Sequence, residues 1–159
     1  MDDKSVLTQL VISEEQQREI DGLLQGLKQQ VDASSVLLIE RSGLLLSSYG
    51  EGTINDLSIS SLIAGIFKSI SALTSLMGEP EVRTLQHHGN RNTMVLVLME
   101  SKDVLAVMLP PDTRPSAFEG AVDEAVRALT TILIAAREST KNKPFSFSKD
   151  TISLFLGRL

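Results

Sequence analysis

The only imidazoles in the chain are His87 and His88, side by side. Metal ligation and general-base work both need side chains that converge on one point. Neighbouring residues of a strand point to opposite faces, so this pair reads as ordinary strand-end surface. Arg41, Arg83, Arg91 and Arg114 lie in or near turns. An exposed arginine can act as a finger on a phosphoryl-transfer transition state, but no pattern singles one out, and solvated charge accounts for each. Serines are numerous, yet none stands in G-x-S-x-G or S-x-x-K. No GxxxxGK[ST] or GxGxxG is present to cradle a phosphate, and Gly50-Glu51-Gly52 reads as a loop. Cysteine is absent, which excludes disulfides, a thiolate nucleophile and Cys-based metal sites. These residues therefore predict no enzyme, no cofactor and no metal.

If chemistry is not the function, the elements should show what the chain presents to others. Its 159 residues allow one domain and a short tail, and an aromatic content of 4 % means an aliphatic core. A net charge of −5 offers no basic footprint for nucleic acid, so proteins are the expected partners. The N-terminus lacks the charged-then-apolar layout of an export signal. No run reaches the ~20 uncharged apolar residues needed to cross a bilayer. Both points favour a cytoplasmic protein with no membrane insertion.

The first helix is expected at 14–32. Ser13 and Gln16 form an S-x-x-Q capping box, and Ile20, Leu23, Leu24, Leu27 and Val31 recur at three- and four-residue steps. Val36–Ile39 and Leu44–Leu46 flank Arg41-Ser42-Gly43, a hairpin pattern. The first strand is apolar on both faces and should be covered on both. A long helix over 57–77 carries Leu62, Ile66, Ile70, Leu73 and Met77 on one side, with Ile59 and Ile63 beside them, which predicts that this side packs on the sheet. Its other side holds Ser61, Ala64, Lys68, Ser71 and Ser75, flanked by Gly65 and Ala72. Gly78 and Pro80 end it. Three strands at 82–88, 93–99 and 104–109 make an antiparallel meander.

A last large helix should start at a Ser116/Glu119 capping box and run to about Arg137, with Phe118, Val122, Ala125, Val126, Leu129, Ile132 and Leu133 facing the core. The order α-β-β-α-β-β-β-α predicts an α+β sandwich, helices packed on a five-stranded antiparallel sheet. The chain divides into an N-terminal extension (1–13), the domain (14–138) and a linker with a C-terminal amphipathic, partner-docking helix (139–159). In that tail Ile152, Phe155, Leu156 and Leu159 fall at i, i+3, i+4 and i+7. A helix this short is marginal in water and needs a surface, its own domain or a partner's.

This order of elements resembles the Roadblock/LC7 family. The strings Val36-Leu37-Leu38-Ile39, Gly43-Leu44-Leu45-Leu46-Ser47-Ser48, Ser61-Leu62-Ile63-Ala64-Gly65 and Leu76-Met77-Gly78-Glu79, with Pro144-Phe145, Ser148-Lys149-Asp150 and Ile152 to Phe155, look like the bacterial MglB-type group. The resemblance implies a homodimer joined through the third strand and the second helices. It implies a platform that engages a small Ras-like GTPase of the MglA kind, in bacterial cell polarity or motility and concentrated at a cell pole. MglB-type proteins are GTPase-activating proteins that position the GTPase's own catalytic groups and supply no arginine finger; their tail binds the GTPase and can promote nucleotide exchange.

Carried to this chain, the expected partner-binding residues are Ala64, Gly65, Lys68, Ser71 and Ala72 on the helix, and Phe145, Ile152 and Phe155 in the tail. Lys68 departs from the small residue common there in the family, and Lys149 and Arg158 depart from its acidic tail, which puts the exchange role in doubt. The alternatives are a Roadblock scaffold or adaptor that binds a GTPase or motor complex without changing turnover, and a small-molecule sensor of the profilin-like or PAS-like type.

Overall fold

The computed structural model describes residues 10–51 and 56–141. The first helix, α1 (Glu14–Val31), starts where the capping box was expected. The Ser13 hydroxyl accepts from the Gln16 backbone N–H at 3.1 Å, and the Gln16 side chain accepts from the Ser13 N–H at 3.0 Å. Its buried stripe is Ile20, Leu24, Leu27 and Val31, and Asp32 ends it in the left-handed region, φ 57°. Strands β1 (Ser35–Ile39) and β2 (Leu45–Gly50) follow as an antiparallel pair, then helix α2 (Asp56–Met77). Strands β3 (Thr84–His88), β4 (Thr93–Leu98) and β5 (Val104–Leu109) form the meander, and α3 (Glu119–Lys141) closes the domain.

The sheet is five-stranded and antiparallel, in the order β2-β1-β5-β4-β3. Side chains alternate between its faces. Val36, Leu38, Val95, Leu105, Val107 and Leu109 pack with the apolar stripes of α1 and α3. Leu37, Ile39, Leu96, Val104 and Ala106 pack with Ile63 and Phe67 of α2. β1 is thus buried along its whole length, as its two-sided apolar pattern requires.

Four expectations need correction or bounding. First, α2 is rotated relative to the expected wheel. It seats Ser60, Ile63, Ala64 and Phe67 on the sheet, while Leu62, Ile66, Leu73 and Met77 stand exposed and Ile59 and Ile70 are half-buried. Second, no Ser116 side-chain cap forms. Pro115–Ala117 make a 3-10 turn after Arg114, because Pro115 fixes its φ and supplies no N–H, and α3 begins at Glu119. Third, α3 runs past Arg137 to Lys141, where Thr140 accepts weakly from the Val11 N–H at 3.4 Å. Fourth, the tail helix with Phe145, Ile152 and Phe155 lies outside the described residues.

By length and composition α2, with 22 residues and a mean hydropathy of 1.5, could cross a membrane. Its seat on the sheet through Ile63 and Phe67 instead gives it a protein neighbour on one side.

Candidate functional site

What decides how α2 sits is a close approach to the β1–β2 turn. Gly43 has φ 98°, and a Cβ there would lie 3.3 Å from Ser61 Cα and 3.4 Å from Ala64 Cβ. The turn therefore needs glycine for its conformation, and the helix needs small residues opposite it. Ala64 is small because it is buried at this seam, 6 % exposed. The expected docking stripe consequently splits. Ala64 faces the protomer and is removed from any partner surface by burial, whereas Gly65 is half-buried and Lys68, Ser71 and Ala72 remain exposed.

Fixing that seam turns the other flank of α2 outward. Leu62 (69 % exposed), Ile66 (37 %), Leu73 (56 %) and Met77 (64 %) form a continuous apolar stripe at steps of four, seven and four residues. α2 lies closest to β1 and β2, on the sheet face that carries Leu37 and Ile39. On that face of the sheet the half-buried Met94 and Leu98 of β4 and Leu85 of β3 join the α2 cluster. Leu85 pairs with Leu96 and His87 with Met94 across the β3–β4 ladder, so both share the α2 face of the sheet. His88 pairs with Thr93 and faces the other way, so the two histidines diverge.

The two sheet edges differ as well. β2 is tied to α1, with Ser47 Oγ donating to Asp21 Oδ1 at 2.6 Å and Gln17 Nε2 donating weakly to the Leu46 carbonyl at 3.4 Å. β3 pairs with β4 alone among the described residues and is mostly exposed. An unpaired edge offers its backbone N–H and C=O groups to another strand. Among the described residues, neither the β3 edge nor the exposed α2 flank holds a convergent set of metal-ligating groups.

The expected arginines divide. The Arg41 guanidinium donates to the Ser101 carbonyl at 2.6 Å and its backbone N–H to Asp103 at 3.1 Å, while Arg83, Arg91 and Arg114 are exposed. The chain's most constrained charges lie elsewhere. Arg137 of α3 grips Asp103 with both guanidinium nitrogens, at 2.6 and 2.7 Å, and reaches Glu40 at 3.4 Å. Asp103 is fully buried. Its hydrogen bond, outweighing the opposing desolvation, raises the Arg137 pKa above the ordinary value, so the clamp stays charged. The cluster ties α3 to the β1–β2 and β4–β5 turns and so holds the Gly43 turn on which α2 rests.

A profile of the Roadblock/LC7 domain matches residues 19–109. The chain belongs to the Roadblock/LC7 family. Among solved structures, Myxococcus xanthus MglB is 27 % identical, with a TM-score of 0.74, covering 86 % of this chain and all of that one. The gliding protein MglB of Thermus thermophilus is 20 % identical with a TM-score of 0.72, covering 80 % of this chain and 97 % of that one. A Roadblock/LC7 domain from Streptomyces avermitilis is 21 % identical with a TM-score of 0.64, covering 72 % and 97 %. Among curated proteins nothing matches. Sequence reasoning missed the outward stripe of α2. The available signal was that α2 is apolar around most of its circumference, with Phe67 and Ile63 competing with Leu62 and Ile66 for the sheet.

Proposed function

We propose that this Roadblock/LC7 chain is an MglB-like homodimeric regulator of a small Ras-like GTPase, acting as a GTPase-activating protein in bacterial polarity or motility. The observations that support the reading are the exposed Leu62–Ile66–Leu73–Met77 flank of α2 and the β3 edge, which pairs with β4 alone among the described residues. Solvent-exposed leucines in line on a helix mark a surface that is finished by another chain. A second copy offers the same edge and flank, as a two-fold interface requires. Pairing β3 with β3 aligns the two α2 helices and leaves Gly65, Lys68, Ser71 and Ala72 as the face open to the GTPase. Lys68 is the one cation there and meets an acidic switch segment. Activation proceeds by holding switch elements in place, since phosphoryl transfer depends on positioning and charge stabilisation.

The test is hydrolysis by the cognate MglA-like GTPase with and without saturating protein. Stimulation that drops at least tenfold in Lys68→Glu/Ala72→Arg, with the dimer intact, supports the regulator. Binding without any change in turnover selects the scaffold reading. Absence of binding overturns both. Ala64 is unsuitable for this test, because an arginine there would lift α2 off the Gly43 turn.

A further inference from the structure

The outer surface of the α1–α3 layer carries a shallow, open groove of about 550 Å³, lined by neither α2 nor β3. Its lining alternates small and apolar residues: Gly22 and Leu23 from α1, and Ala128 and Ile132 from α3, with Glu19 and Thr131 at the rim. A Cβ at Gly22 would meet nothing within 4 Å, so the groove is open where it could have been filled. It continues along α3 past Glu124 to Gly120. Leu23 and Ile132 are half-buried and pack against the core from this side.

We propose that residues 148–159 of the same chain dock in this groove as a short helix. Three observations select this occupant. The first is reach. The end of α3 lies by the start of α1, where Thr140 accepts from the Val11 N–H, and the groove lining on α3 begins nine residues before Lys141, at Ile132. Residues 142–147 extend up to ~20 Å, enough to turn the chain back past Ile132. The second is length. Twelve helical residues, 148–159, measure about 18 Å, and α3 from Ile132 back to Gly120 covers about the same at 1.5 Å per residue. The third is charge. Residues 142–159 hold Lys143, Lys149 and Arg158 against Asp150 alone, in a chain of net charge −5. The groove rim presents Glu19 and Glu124 beside Arg127.

Docking places Ile152, Phe155, Leu156 and Leu159 on Leu23, Ala128 and Ile132, and brings Arg158 toward Glu124. The groove supplies the surface that an isolated twelve-residue helix lacks. The contact withholds Ile152 and Phe155 from any other surface, so capture of the tail by a partner must compete with it. This inference does not depend on the GTPase reading.

Limited chymotrypsin cleavage of the full chain at Phe155, without any GTPase, tests it, with cleavage at Phe145 and Phe147 in the connector as the undocked reference. Gly22→Lys/Ala128→Lys fills the groove and repels the cationic tail. It is expected to speed tail cleavage at least tenfold over the unmodified chain while the melting temperature holds. Ile152→Asp, which leaves the body untouched, is expected to speed cleavage at Phe155 to a similar degree, and serves if the double variant folds poorly. Leu73→Lys on the opposite layer should leave tail cleavage unchanged. Equal cleavage of the unmodified chain and Ile152→Asp overturns the proposal. So does protection that grows with protein concentration, which would put the tail on a second copy.

Discussion

On one face of the sheet two helices cover Val36, Leu38, Val95, Leu105, Val107 and Leu109 and bury most of their large apolar side chains, with Ile134 the one left exposed. On the other, a single helix covers Leu37, Ile39, Leu96, Val104 and Ala106 and leaves Leu62, Ile66, Leu73 and Met77 in solvent. The same sheet separates a layer that is complete within the protomer from one that is not. Closure on the α1–α3 side supplies most of the stability of the fold, because apolar area removed from water is its main driving force. Openness on the α2 side leaves apolar area to be buried against another chain. The closed layer and the proposed interacting surface are therefore opposite faces of one sheet, and variants on each should affect different measurements.

The strongest expected break comes from the closed layer. Leu129 is fully buried between α3 and the sheet. Leu129→Ala removes three carbons from a packed site and should cost about 2–5 kcal/mol of unfolding free energy. Chemical denaturation followed by circular dichroism reads this directly. A loss below ~1 kcal/mol would show that the α1–α3 layer is not where the protomer's stability resides.

Next is the clamp that joins the two layers. Arg137→Met leaves the Asp103 carboxylate buried with the Arg41 N–H as its remaining short hydrogen bond. An uncompensated buried charge costs about 3 kcal/mol. Asp103→Leu added to Arg137→Met should recover most of that loss, since well-packed apolar pairs often replace buried ion pairs without penalty. If the single variant is as stable as the native chain, the turn that seats α2 is held by something other than this clamp.

What could be read from the sequence follows from the range of the interactions involved. The α1 start was legible because Ser13 and Gln16 cap each other three residues apart. Gly78 was legible as the end of α2, since its φ of 69° is the conformation glycine favours there. β1 was legible as a doubly covered strand from four consecutive apolar residues. The seating of α2 was not. Its apolar residues occupy more than one stripe, and the choice among them is made by Gly43, more than a dozen residues away in the chain, which accepts only Ser61 and Ala64 beside it. Treating the largest side chains as the buried ones put Leu62 and Leu73 inside and Ala64 outside, the reverse of the structure. The Arg137–Asp103 pair was hidden for the same reason: 34 residues separate two charges that each look like solvated surface on their own.

The smallest effect on the protomer should come from the open layer, and it sharpens the comparison most. Leu73 and Met77 lie on the last turns of α2, beyond the residues seated on the sheet, and are 56 % and 64 % exposed. Leu73→Lys/Met77→Lys removes little buried area from the protomer, so its stability at high dilution should stay within ~0.5 kcal/mol of the native chain. Self-association should fall at least tenfold by sedimentation equilibrium, because two added charges cannot be desolvated against an apolar partner without cost. The melting temperature separates the two effects. On the proposed dimer, the native chain melts higher as its concentration rises, by mass action, and the variant should lose that dependence. If instead the variant melts far lower at every concentration, the α2 flank belongs to the protomer's own core and the two layers are not divided as their exposures indicate.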